Sequence, residues 1–354
     1  YAMLAGLPPI YGLYAATIPL IIYALFGTSR QLAVGPVAMV SLLTASGVGL
    51  LAEPGSVDFI TLAIALSLFT GLSQFLVGVF RLGFLVNFLS YPVISGFTSA
   101  AALIIGLSQL KHLLGIKMGG SQKIYVVLGE AFSQINNIHW LTLLIGLGGM
   151  ALIMGVKRIH KSIPGSLLAV IVGILVVMIF HLEGAGVKVL GDVPQGLPKF
   201  ALPQFTWTNF QALLPTTLAI TLVSFMESIA VATAIQSKHK TYKVDPNQEL
   251  IALGISKIAG SFFQSFPVSG GFSRTAVNDQ AGARTQLAAI ISAILIVLTL
   301  LFLTPLFHDV PNAILASVIM VAVFGLIDVK EPVHLWHANR TDFWMLIVTF
   351  TATL

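Results

Sequence analysis

The 354-residue chain is 56% hydrophobic, 9% charged and carries a formal net charge of +5, far from the roughly quarter-charged makeup of soluble domains. Repeated apolar runs close to the ~20 residues that cross a bilayer exclude a water-soluble globule and imply a polytopic membrane protein, with the lipid bilayer as its surroundings. The lack of cysteine removes disulfides, thiol catalysis and thiolate metal sites, and no basic run suggests nucleic acid as a partner.

Residues 1–7 read as the end of a first span, and Pro8 and Pro9 turn the chain into a second over 10–26. The apolar pattern then breaks at Gly27, Thr28, Ser29 and Arg30. Residues 31–34 suit a short extended piece, and Gly35–Pro36 opens a half-length third helix, since proline is well placed in a first helical turn. A fourth span covers 59–80 and a fifth lies within 91–114. The polar stretch 117–140 holds an interfacial helix, the sixth span covers 141–156, and the seventh covers 167–180. Residues 183–209 connect two halves, which are expected to be a first repeat over 1–182 and a second over 210–354.

The second half opens with a helix over 213–236 that carries Glu227 near its middle. A basic loop over 238–243 follows, then a shorter helix from Pro246 toward Phe263, the broken stretch 266–276, two plain spans and a truncated one from Phe343. His334 and His337 lie beside Lys330 and Arg340 in a polar connection, expected to be a solvated loop. No metal site or other cofactor is expected, and no nucleophile–base–acid set is visible, so an enzyme is not expected. Both ends fall inside apolar phrases, as expected of a segment of a longer protein.

The layout agrees with the positive-inside rule. Arg81, Lys157, Arg158, Lys161, Lys238, Lys240, Lys243, Arg284, Lys330 and Arg340 fall on one side, expected to be cytoplasmic, against Lys111, Lys117, Lys123, Lys188 and Lys199 on the other.

The two halves share a shape: each soon reaches a broken segment rich in Gly, Pro, Ser and Arg, at 28–38 and at 266–276. Matched interruptions in two halves point to the midplane site of an inverted-repeat transporter. With seven spans before the second half begins, its polarity in the membrane is reversed, so the two half-helices approach from opposite sides. Starting near Pro36 and over residues 269–273 (Ser269, Gly271, Phe272 and Ser273 included), they would turn unpaired N–H groups and positive dipole ends toward one space. An anion fits there without a metal, with a permanent charge from Arg274 and a hydroxyl from Ser273. The alternative is a softened kink in which Arg274 is paired to a nearby acid or to helix C-terminal carbonyls. Glu227 likewise has two readings, a site for a coupling proton or a fixed ion pair with Arg274. Arg30 is expected to reach the membrane surface with its stem buried.

Several phrases in order, YAMLAGLPPIYGLYAATIP, GTSRQLAVGPVAMVSLL, YPVISGFTSAAALI, NQELIALGISKIAGSFFQSFPVSGGFSRTAVN and PNAILASVIMVAVFGLID, resemble the SulP family of sulfate permeases. The resemblance implies an all-α membrane fold of two inverted repeats of seven segments, with core and gate domains and half-helices at the third and tenth segments. It implies an anion site at the positions of Tyr1, Val37, Ala38, Ser273 and Arg274. Glu227 falls where proton-coupled members keep an acid. On the same resemblance, parts of the terminal segments and the cytoplasmic STAS domain lie outside this chain, and Val37 is aliphatic where some relatives have an aromatic.

These readings converge on secondary transport of an inorganic anion, sulfate first, with a coupling proton and a homodimer in the plasma or inner membrane. The rivals are sodium-coupled bicarbonate or dicarboxylate carriage, anion exchange, a nucleobase permease, and a voltage-responsive or scaffold protein without net flux.

Overall fold

The structure is a computed structural model. It describes residues 1–84, 91–119, 124–159, 164–192, 194–324, 327 and 329–354, without the side chains of Tyr91, Ile94, Phe97, Thr98, Ala101, Ile105, Ser273, Gln280, Ala322 and Val323. In chain order the helices are α1 (Ile10–Tyr14), α2 (Ile18–Phe26), α3 (Ala38–Gly49), α4 (Val57–Val79), α5 (Tyr91–Ser108), α6 (Leu110–Leu114), α7 (Ile124–Ser133), α8 (Trp140–Ile159) and α9 (Gly165–Phe180). They continue with α10 (Trp207–His239), α11 (Pro246–Ser261), α12 (Phe272–Gln280), α13 (Leu287–Leu298), α14 (Asn312–Phe324), α15 (Lys330–Ala338) and α16 (Arg340–Thr353). Two-residue strands, β1 (Val34–Gly35) and β2 (Ser269–Gly270), precede α3 and α12.

Among the described residues four helical stretches are long and apolar enough to span a bilayer: Val57–Val79, Trp140–Ile159, Trp207–His239 and Leu287–Phe307. Shorter apolar helices accompany them, as in a membrane protein whose segments are broken where they line a site. Within 117–140, where an interfacial helix is expected, lies the ten-residue helix α7. The connection carrying His334 and His337 is not a loop but helix α15: the His337 ring bonds the Val333 carbonyl one turn back at 2.8 Å, and Arg340 lies over the Trp336 ring. Short-range helical contacts there prevail over the polar composition.

The chain forms two compact units. Unit 1 comprises Tyr1–Phe88 and Pro194–Thr304, and unit 2 comprises Leu89–Val193 and Pro305–Leu354. Each therefore draws on both halves of the sequence.

In unit 1, α4 starts on Ser56, whose hydroxyl accepts the Phe59 N–H at 3.1 Å, with Asp58 in the first turn favouring the positive helix end. Asp245 caps α11 by accepting the Asn247 and Gln248 N–H groups, and Pro246 takes the first helical position. α4 and α11 pack backbone to backbone. A Cβ on Gly254 would lie 2.6 Å from the Phe75 amide nitrogen, so only glycine allows the contact, the small-residue packing that replaces hydrophobic drive inside a bilayer. Gln74 on α4 and Lys257 on α11 are both fully buried in this interface.

In unit 2, α5, α8, α9, α14 and α16 pack together. The buried Ser317 hydroxyl of α14 lies 2.6 Å from the Gly146 carbonyl of α8, which fixes the two helices in depth. The strand-like segment after α9 bonds the turn before α14, Leu190 N–H to the Val310 carbonyl at 2.9 Å.

Candidate functional site

Both broken stretches take the same local form, a two-residue strand, an extended capping residue and a half-length helix. Val37 caps α3 at φ −131°, ψ 154°, and Gly271 caps α12 at φ −87°, ψ 128°. The strands pair antiparallel, Val34 opposite Gly270 and Gly35 opposite Ser269. The Gly271 N–H donates to the Ala33 carbonyl at 3.1 Å, and the Ala33 N–H donates to Thr275 Oγ1 at 3.0 Å. The two half-helices thus leave one small ladder with their N-termini together. Among the described residues no side-chain cap bonds either N-terminus, which leaves their positive ends available to an anion.

Val37, Ala38, Ser269 and Gly271 are buried, and Phe272 is exposed. The backbone of Ser273 lies in the first turn of α12, while its side chain is outside the described residues. Arg274 lies across Gly35, where a Cβ would overlap its guanidinium; glycine there permits the approach. Among the described residues no carboxylate lies within ion-pair distance of Arg274, so the expected alternative of a fixed Glu227–Arg274 pair does not form. The Tyr1 phenol is within electrostatic reach of both Glu227 and Arg274.

Glu227 is half-buried on α10, and its Oε2 is buried with no hydrogen-bond partner among the described residues. Its polar neighbours are Ser269 and Lys257. The Ser269 and Ser228 hydroxyls lie 3.0 Å apart and both reach the Ser224 carbonyl, at 2.8 and 2.7 Å. The Gly270 N–H donates to Ser228 Oγ at 2.8 Å. A serine cluster therefore ties the helix bearing Glu227 to the strand that leads into α12.

Two groups carry more weight than the sequence assigned them. Lys257, inside the apolar phrase GISKIAG, donates through Nζ to Gln74 Oε1 at 2.6 Å and Ser224 Oγ at 2.8 Å. Gln74 Nε2 donates to Ser224 Oγ at 2.8 Å and to the Thr221 carbonyl at 3.0 Å. Its acceptors are neutral, and the acid acting on it is Glu227. A cation inside a membrane segment was the available signal.

Glu249 is the second. Its buried carboxylate accepts Tyr23 Oη (2.7 Å), the Thr28 N–H (2.7 Å) and hydroxyl (2.6 Å) and the Ser29 N–H (3.1 Å). It fixes the break that leads into β1. Each buried donor left unsatisfied costs about 1–3 kcal/mol, so Glu249→Ala is expected to destabilise the protein by about 3–5 kcal/mol, with a smaller loss for Glu249→Gln. Thermal unfolding of the purified protein checks this, and an unchanged midpoint for Glu249→Ala would contradict it.

At the other end of α12, Asp279 binds Lys238 at 2.5 Å and also His239, both at the end of α10. Gln31 is held by Tyr242 Oη at 2.7 Å, and its carbonyl accepts from Asn278. Arg30 lies over the Tyr242 ring, 5.4 Å from its centroid, an exposed cation–π contact consistent with a surface role.

Paired half-helices on a shared antiparallel ladder, within a multi-pass helical bundle, define a class of membrane proteins whose broken segments meet in the bilayer. The sequence profile of the Sulfate permease family matches residues 1–349. The chain belongs to that family. It is 40% identical to the probable sulfate transporter 4.2 of Arabidopsis thaliana over 362 residues, covering 100% of this chain and 53% of that protein. The chain thus spans about half the length of the curated relatives it matches. Among solved structures, the murine Slc26a9 anion transporter in an inward-facing state superposes with TM-score 0.91 at 25% identity, over 99% of this chain and 61% of that one. The transmembrane domain of the cyanobacterial bicarbonate transporter BicA superposes with TM-score 0.87 at 22% identity, over 99% and 90%, and shows the fold alone. The fold is the all-α, multi-pass membrane architecture of inverted repeats expected from the sequence.

Proposed function

We propose that the chain is the membrane domain of a secondary transporter that carries an inorganic anion, sulfate first, together with a proton. The observation that carries this reading is the convergence of two uncapped half-helix N-termini on one ladder, with Arg274 beside it and unpaired to any described acid. Membership of the sulfate permease family and the names of the Arabidopsis relatives support sulfate as the cargo. The repeats are proposed as 1–182 and 210–354, joined by 183–209, with units 1 and 2 as core and gate domains and a homodimer as the assembly.

In the proposed site the anion rests on the main-chain N–H groups that begin α3 and α12, at Val37, Ala38, Phe272 and Ser273, beside the cap residue Gly271, whose own N–H is held by the Ala33 carbonyl. Ser269 shapes the floor, Tyr1 bounds the space and Arg274 supplies favourable potential. Glu227 carries the coupling proton. Its unpartnered Oε2 supports this role, because an acid meant only to hold two helices together would have its lone pairs engaged. Lys257 is the internal counter-charge when Glu227 is ionised. Loading with Glu227 neutral removes one negative charge from the path of a dianion, so uptake should rise as the outside pH falls.

The test is radiolabelled sulfate uptake into liposomes containing the purified protein. An inward proton gradient is expected to drive accumulation and an outward one to suppress it. Accumulation driven by sodium at constant pH, with no response to the proton gradient, would replace the proton in this reading.

A further inference from the structure

Unit 2 contains a cavity of about 250 Å³ that none of the transport residues above enters. Its wall is cationic. Lys111 and His112 come from α6, Lys117 from the turn that follows, and Lys188 from the segment after α9, with Thr142 and Asn312 completing the polar lining.

Three features set this cavity apart from a scatter of surface lysines. First, the charges come from segments about seventy residues apart in sequence, and Lys111 and Lys188 both act electrostatically on the ring of His112. Second, none of the three lysines has a carboxylate within ion-pair distance among the described residues. The nearby acid on α7, Glu130, accepts the Gly119 N–H at 2.7 Å. Third, the wall is held from behind. The Asn312 N–H donates to the Lys188 carbonyl at 3.0 Å, and the His139 ring bonds Thr142 Oγ1 at 2.7 Å and the Ala185 carbonyl at 3.1 Å. Gly115 takes φ +69°, which turns the chain after α6 so that Lys117 returns to the cavity.

Like charges gathered around a partly enclosed space repel one another, and the repulsion is relieved when a counter-ion enters. Ammonium groups act as compact point charges suited to sulfate and phosphate oxygens. The volume is below the ~300–1,000 Å³ of pockets for drug-sized ligands, which favours a small ion over an extended organic one. Among the described residues Asn312 Oδ1 is buried without a hydrogen-bond partner, leaving an acceptor for a water or hydroxyl that accompanies the ion.

We infer that the Lys111–Lys117–Lys188 cavity of unit 2 is a second anion site, binding a tetrahedral oxyanion of the sulfate or phosphate kind, either free or as a lipid headgroup. It is separate in residues from the site on α3 and α12 and does not depend on that site being the transport site.

Equilibrium binding of radiolabelled sulfate to the purified protein at low ionic strength tests it, first in discs of phosphatidylcholine alone. Wild-type protein is expected to show a Lys-dependent binding event that weakens on the order of a hundredfold in Lys111→Gln/Lys188→Gln. Lys111→Arg/Lys188→Arg, which keeps the charges, should retain it, and the half-helix binding event should persist in Lys111→Gln/Lys188→Gln, which separates a lost site from a folding defect. Arg274→Ala should leave this event intact while weakening the other, so failure of either site shows separately. Repeating the measurement with phosphatidylglycerol distinguishes the sources. Loss of the Lys-dependent event there assigns the site to a headgroup phosphate, and persistence assigns it to the free ion. Sulfate binding identical in wild type and Lys111→Gln/Lys188→Gln in phosphatidylcholine would overturn the inference.

Discussion

Arg274→Ala is expected to weaken sulfate binding at the half-helix site by roughly 2–4 kcal/mol, on the order of a hundredfold. The guanidinium lies across Gly35 and has no acidic partner among the described residues, so its charge is free to act on an incoming anion. The main-chain N–H groups and the helix dipoles remain in the variant, which is why residual binding is expected. Arg274→Lys should recover part of the loss, because it restores the charge without the planar fork that Gly35 accommodates. Equilibrium binding with each variant measures this directly, and unchanged affinity in Arg274→Ala would move the anion elsewhere.

The second large effect concerns Glu227. Glutamine copies the shape and hydrogen-bonding capacity of the neutral carboxyl but cannot release a proton. Glu227→Gln is therefore expected to keep sulfate exchange at equal concentrations and to lose accumulation against a gradient. One proton moving down one pH unit supplies about 1.4 kcal/mol, a tenfold sulfate ratio at zero membrane potential. That ratio should collapse to unity in the variant, and its exchange rate should no longer vary with pH. Side-by-side uptake and counterflow measurements separate the two. Equal pH dependence in wild type and Glu227→Gln would remove the residue from the coupling step.

Much of this site could be read in the sequence because its signals are local. Gly, Pro, Ser and Arg clustered in two otherwise apolar segments mark both breaks, and in place of the extended piece expected over 31–34 the strand β1 is Val34–Gly35. The third helix starts at Ala38, two residues after the Pro36 expected to open it, because Val37 stays extended as its cap. What stayed hidden depends on pairing between distant segments. Nothing in the phrase around Ser269 announces that it faces Gly35, because two-residue strands carry no alternation to read. Glu249 sits at an ordinary-looking helix start, and its role as acceptor for the 23–29 segment arises more than two hundred residues away in sequence. Lys257 was visible as an intramembrane charge, yet its partners Gln74 and Ser224 lie on two other helices. The division into units that interleave both halves is likewise a property of packing, which composition along the chain does not encode.

The proposed coupling of a proton to the anion is tested most directly with a pH-sensitive dye trapped inside liposomes that contain the purified protein. With no initial pH difference and the membrane potential clamped at zero, adding sulfate outside is expected to acidify the interior for wild-type protein and not for Glu227→Gln. Sulfate entering wild-type vesicles at the same rate with no change of internal pH would contradict proton-coupled transport by this chain.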